Sequence, residues 1–167
     1  RIMHTLMANG IFQGDDFWER EAQRAFAQVP LLHQPKRDNV LVIGYGTGNS
    51  AHALHDAGFA WMDIAELSPD IVNLADRHFG DINGKVSQQP SVQTYYTDGR
   101  NYLLTQDRRY DLISMELTSI WFSGAANLYN REFYRLAKAR LNDDGILQQW
   151  VQLHHMRPMD LLHILNT

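Results

Sequence analysis

The feature that most restricts this chain is the run Asn39-Val40-Leu41-Val42-Ile43, which leads straight into Gly44-Tyr45-Gly46-Thr47-Gly48. A short, continuous apolar run ended by glycine predicts a parallel strand covered on both faces, and parallel strands must be joined by long crossovers. The rest of the chain supplies those crossovers. Strands are predicted over residues 61–67, 92–96, 110–116 and 145–151, alternating with helices over 49–57, 69–79, 100–104 and 130–141. Gly58 closes the first of these helices, Pro69 opens the second, and Asn142-Asp143-Asp144-Gly145 predicts a turn before the fifth strand. An earlier helix over 17–29 carries Phe17, Trp18, Ala22, Ala25 and Phe26 at helical spacing and is closed by Pro30; a last helix follows Pro158. Such alternation predicts one α/β domain, a doubly wound parallel sheet with helices on both faces. Residues 1–38 read as a lead-in segment with its helix, and 39–167 as the sheet-forming domain.

Composition narrows the function classes. A formal charge of −4, 44% hydrophobic and 20% charged residues are ordinary for a globular chain and argue against disorder. The basic residues are scattered, so nucleic acid is not an expected partner. The chain has no cysteine, which removes disulfides, thiolate nucleophiles and cysteine-based zinc sites and fits a reducing compartment, hence a cytoplasmic location or the cytoplasmic domain of a membrane protein. The least charged stretch, 112–129, holds Glu116 and several small polar residues, so no membrane contact is expected of this segment. No basic start followed by an apolar run marks a signal peptide. The chain begins at Arg1 rather than Met and stops just after a helical run, so the sheet is expected to be truncated at both ends. Its uncovered edge would then favour a homo-oligomer.

In a sheet of this kind ligands bind at the carboxyl ends of the strands, so the residues just after each strand carry the chemistry. Gly44, Gly46 and Gly48 let the backbone pass close to a ligand and point the next helix's amino end at it, although any tight strand-to-helix turn also favours glycine. Glu66 ends the second strand, about 20 residues on, where nucleoside-binding sheets place a carboxylate for the ribose hydroxyls; its alternative is a solvated strand-end charge. Asp98, in Thr97-Asp98-Gly99, is placed to accept from an adenine amino group or to cap the following helix. Glu116 ends an otherwise apolar strand, which makes it either a candidate general base or the partner of a cation such as Arg131. The loop over 118–127 exposes Trp121 and Phe122 among small residues, as a lid or as hydrophobic anchors. His52 and His55, and the adjacent His154 and His155, lack a further ligand at metal spacing, so no metal is expected. Neither a nucleophile elbow nor a phosphate-loop lysine is present.

These positions resemble the spermidine synthase family, the polyamine aminopropyltransferases, from about Asn9 to Val151. That family reads strand, GGGDG, strand-end Glu, GDG, YDxIxxDSSDP, a loop ending in LY or LF, REFY and a DGIL-type strand. Here the matching stretches are Val40 to Gly48, Glu66, Asp98-Gly99, Tyr110 to Glu116, Leu128-Tyr129, Arg131-Glu132-Phe133-Tyr134 and Asp144-Gly145-Ile146-Leu147. Asn9-Gly10-Ile11-Phe12-Gln13 is similar to its DGxxQ, and Val29-Pro30-Leu31-Leu32 to its HVPL, with Gln28 at the His position. Asp98 to Leu104, Ala126-Asn127-Leu128 and Gln149 to Leu153 bring the chain nearest to bacterial spermidine synthase-like domains, some of them fused to membrane segments.

The resemblance implies the class I methyltransferase-like (Rossmann-like) fold. It also implies transfer of an aminopropyl group from decarboxylated S-adenosylmethionine to a polyamine such as putrescine. By the same resemblance Gln13, Gly44, Gly46, Thr47, Gly48, Glu66, Asp98 and Gly99 bind the donor, Glu116 takes the place of the catalytic aspartate, and Ser119 and Tyr129 face the polyamine. Thr47 stands where the family has an acid for the donor's amino group, and Ser119 where it has a second, substrate-binding aspartate. Two other functions fit the same residues: a methyltransferase using intact S-adenosylmethionine, and a non-catalytic nucleoside-sensing domain.

Overall fold

The structure is a computed structural model that describes residues 3–117, 125–153 and 156–167. The chain opens with an antiparallel hairpin, β1 (Thr5–Ala8) and β2 (Ile11–Asp15), followed by α1 (Trp18–Gln28) and a 3-10 turn over Val29–Leu32. The parallel sheet is then built by β3 (Asn39–Ile43), β4 (Trp61–Glu66), β5 (Val92–Tyr96), β6 (Tyr110–Met115) and β7 (Leu141–Gln149). The helices between and after them are α2 (Asn49–Asp56), α3 (Pro69–His78), α4 (Gly80–Asn83), α5 (Gly99–Thr105), α6 (Arg131–Ala139) and α7 (Pro158–Leu165).

The strand order is β5-β4-β3-β6-β7, every neighbouring pair parallel. The chain builds outward from β3 to β5, then crosses back to lay β6 and β7 on the other side of β3. The strand order therefore reverses between β3 and β6, where such sheets open a crevice. The continuous apolar run of β3 is explained by its two covered faces. Val40 and Val42 pack with Ala51 and Leu54 of α2 and Val72 and Ala75 of α3, while Leu41 and Ile43 pack with Tyr102 and Leu103 of α5 and Phe133 and Ala137 of α6. A buried carboxylate joins the strand starts: Asp111 Oδ2 accepts from the backbone N–H of Asp38 at 2.9 Å and of Asn39 at 3.1 Å.

Every helix and strand predicted from residue 17 onward is present, with ends shifted by a residue or two except at β7, which begins four residues earlier than predicted; the one-turn α4 was not predicted. Two differences have physical causes. The hairpin was not anticipated, although Asn9-Gly10 is the pair that a tight two-residue hairpin turn prefers, and both residues adopt positive φ, 52° and 78°. Its strands are too short and too exposed to show a clear period-2 pattern. The turn predicted at 142–145 lies inside β7, which begins at Leu141. Pairing jumps from Tyr110↔Leu141 to Leu112↔Ile146, so these polar residues form a bulge, tied down where Asn142 Nδ2 donates to Asp111 Oδ1 at 2.7 Å. Among the described residues no helix is long and apolar enough to cross a membrane.

Candidate active site

The carboxyl ends of the central strands open into a cavity of about 620 Å³. Gly44 and Gly46 line it after β3, Glu66 after β4, Asp98 and Gly99 after β5 and Glu116 after β6, and Gln13 of β2 closes it from the hairpin side. The structure thus gathers residues as distant in the chain as Gln13 and Glu116, 103 positions apart, around one space.

The glycine turn divides its labour. Gly46, at φ 52°, has open space where a side chain would begin, so a ligand can approach its backbone. Gly48, at φ 79°, does not line the cavity; a Cβ there would stand 2.7 Å from Tyr45 Cζ and 2.9 Å from Asn83 Cβ. Gly99 admits α5 against β3, since a Cβ would overlap Ile43 Cγ2. Thr47 lines the cavity but is 2% exposed, and its hydroxyl donates to Gln23 Oε1 at 2.9 Å. That hydroxyl is spent on holding α1 against the turn.

Glu66 is braced from both sides. Tyr45 N–H donates to Oε2 at 2.8 Å and Ser68 N–H to Oε1 at 3.0 Å, which leaves each carboxylate oxygen an acceptor position for a pair of vicinal hydroxyls. Asp98 takes the capping role, Oδ1 accepting from Asn101 N–H at 3.0 Å at the start of α5, and the residue also lines the cavity.

Glu116 is half-buried, and Ser50 Oγ, in the first turn of α2, donates to its Oε2. Burial pushes its carboxyl up to about 7, the Ser50 hydrogen bond opposing and the nearby charge of Glu19 adding. Among the described residues no cation pairs with it, and Arg131 lies exposed at the start of α6. A carboxylate with this affinity for protons takes one up near neutral pH, as a general base must.

Tyr129 lies outside the cavity lining; burial raises its phenol to about 12, and its hydroxyl donates to Trp150 O at 2.8 Å. It supports the wall that Leu128 and Trp150 form. Ser119 lies outside the described residues, as do Trp121, Phe122, His154 and His155. His52 Nδ1 faces Ile82 O at 2.9 Å, whereas His55 Nε2 faces Ser91 Oγ at 3.3 Å, so the two rings serve different partners.

Sequence reasoning missed several wall residues. Glu19 and Gln23 come from α1, and Asn49 and Ser50 from the first turn of α2. Only the last two carried a signal, by following directly on the glycine turn. The charged residues among the described lining are Glu19, Glu66, Asp98 and Glu116, with no cationic side chain.

Residues 19–163 match the spermine/spermidine synthase domain. The chain belongs to the spermine/spermidine synthase family. Among the relatives of this domain, the polyamine aminopropyltransferase of Alkaliphilus oremlandii is 32% identical over 71% of the chain and 42% of its own length. That of Methanocaldococcus jannaschii is 26% identical over 87% of the chain and 49% of its length. The chain thus spans about half or less of the relatives it matches. In structure it is similar to a spermidine synthase in complex with the transition-state analogue AdoDATO, with TM-score 0.78, 19% identity and coverage of 86% of the chain and 49% of the neighbour. Human methyltransferase-like protein 13, in complex with SAH, follows the same fold at TM-score 0.63 and 22% identity, over 88% of the chain and 68% of its own. These likenesses establish the Rossmann-like sheet common to synthases and methyltransferases.

Proposed function

We propose that the chain provides the nucleoside-sulfonium site of an aminopropyltransferase, which takes decarboxylated S-adenosylmethionine and passes its aminopropyl group to a polyamine such as putrescine. The observation that carries this reading is the charge of the cavity: four carboxylates and no cationic side chain among the described lining residues. Such a wall favours a sulfonium donor and an ammonium acceptor and disfavours a ligand that brings its own carboxylate. Family membership and the spermidine synthase neighbour bound to AdoDATO support the same choice.

In the proposed chemistry Glu66 holds the ribose hydroxyls, Asp98 the adenine amino group, and Gly46 gives the donor close backbone passage, with Gln13 contacting it from the hairpin. Glu116 accepts one proton from the acceptor ammonium. The freed amine then attacks the carbon beside the sulfonium; the C–N bond forms, the C–S bond breaks, and its electron pair stays on sulfur as the neutral thioether methylthioadenosine. Holding the two reactants in line supplies most of the remaining acceleration.

One observation favours a second reading, methyl transfer from intact S-adenosylmethionine. The position where an acid would meet the donor's amino group is Thr47, whose hydroxyl already donates to Gln23. Calorimetry with both donors tests the choice. Preference for the decarboxylated donor supports aminopropyl transfer, and preference for the intact one reverses it; binding of either without turnover of any amine would leave a nucleoside sensor.

A further inference from the structure

The proposed transfer leaves the acceptor's ammonium with Glu116 as its one assigned acid, because Ser119 stands where the second, substrate-binding aspartate is expected. The lead-in helix brings in another acid. Glu19, in the first turn of α1, lines the same cavity as Glu116 and lies close enough for its charge to act on that carboxyl. Its backbone N–H is bound by Asp15 Oδ1 at 3.1 Å, but among the described residues no donor or cation reaches its carboxylate. A second feature of the wall also calls for a donor. Asn49 is 1% exposed and gives its amide N–H groups to Arg20 O at 2.7 Å and Gln23 Oε1 at 3.3 Å, while its Oδ1 has no hydrogen bond. A buried acceptor in that state is costly unless a ligand's N–H completes it.

We propose that Glu19 determines acceptor specificity, forming with Glu116 and Asn49 Oδ1 a subsite for a primary ammonium. The inference rests on the aminopropyl-transfer reading of the cavity. An ammonium has three donors and a full positive charge, so it relieves the repulsion between the two carboxylates and supplies the missing N–H. A hydroxyl or a carboxylate at the same place would leave one or both needs unmet. Glu116 then takes the departing proton, and Glu19 holds the chain of the amine.

Calorimetry on the chain loaded with methylthioadenosine, with putrescine as the probe, tests the assignment. Glu19→Gln is expected to weaken putrescine by about ten- to a hundredfold, the usual effect of losing one charge-assisted hydrogen bond. Methylthioadenosine affinity should stay unchanged, which also shows the variant to be folded. Glu19→Asp should recover part of the putrescine affinity. In carboxyl carbon NMR, the titration midpoint of Glu116 should fall both in Glu19→Gln and when putrescine binds the wild type. Wild-type putrescine affinity in Glu19→Gln overturns the assignment, as does a wild type that binds methylthioadenosine but not putrescine; both outcomes leave the nucleoside site standing. A chain that does not bind methylthioadenosine overturns the underlying reading as well.

Discussion

At the scale of single residues, Glu66 and Glu116 differ in what surrounds them although both end strands of one sheet. Two backbone N–H groups brace Glu66, so its contribution is a fixed pair of acceptors. Glu66→Ala should weaken methylthioadenosine binding by about ten- to a hundredfold, measured by calorimetry; unchanged affinity would remove the ribose role. Glu116 has one donor, Ser50, and a carboxyl lifted to about 7 by burial. As a base it must be ionised, so transfer should fall off as pH drops below about 7. Glu116→Gln should cut turnover by roughly two to four orders of magnitude with the nucleoside affinity kept, in an assay on the full-length protein. Stability should move the other way. A carboxyl whose folded-state value is raised from 4.5 to about 7 binds its proton more tightly in the folded chain, so stability falls as pH rises through that window. Glu116→Gln should therefore melt higher than wild type at pH 8 and close to it at pH 5. Equal melting at both pH values would mean that the carboxyl titrates normally. The residue types at strand ends were readable from sequence, and so were the two candidate roles of Asp98, both of which its position permits. Ser50 and Glu19 were not, because their relation to Glu116 spans 66 and 97 positions of chain.

At the scale of elements, the glycine turn shows how one motif serves packing and binding at different positions. Gly48 is held against Tyr45 and Asn83, whereas Gly46 faces open space. Gly48→Ala combines left-handed strain with an overlap in the core and should cost about 1–3 kcal/mol in urea unfolding. Gly46→Ala adds only the left-handed strain, about 1 kcal/mol, but places its methyl where the ligand backbone approach is needed. The pair should therefore separate: the larger stability loss at Gly48, the larger loss of methylthioadenosine affinity at Gly46. A reversed order would mean that Gly46, too, serves only to make the turn. The hairpin carries Gln13, Ile11 and Phe12 to the cavity mouth on a turn whose Asn9-Gly10 chemistry is local and legible. What could not be read locally was that so short a ribbon would be ordered, since its support comes from distant contacts: Leu6 packs in a cluster with Phe79 and Ile82.

At the scale of the whole molecule, the order β5-β4-β3-β6-β7 leaves β7 with one strand neighbour among the described residues. An open edge of this length presents unpaired N–H and C=O groups, so the isolated chain should self-associate in sedimentation experiments, more at higher concentration. A well-behaved monomer at high concentration would show that the edge is protected by its charged bulge at Asp143 and Asp144.

The sequence by itself determined the α/β alternation, the covering of the most apolar strand on both faces and the carboxylates at the strand ends, because each depends on local pattern: apolar runs, helical spacing and residues just after a strand. Only the tertiary structure decided which helices wall the cavity and how its charges are balanced. Glu19 and Glu116 share one cavity because α1 packs beside α2 at the mouth of β3 and β6, and Thr47 turns to Gln23 for the same reason. Whether a carboxylate meets a hydroxyl, another carboxylate or solvent depends on through-space distance and burial, and neither is written in the spacing of residues along the chain.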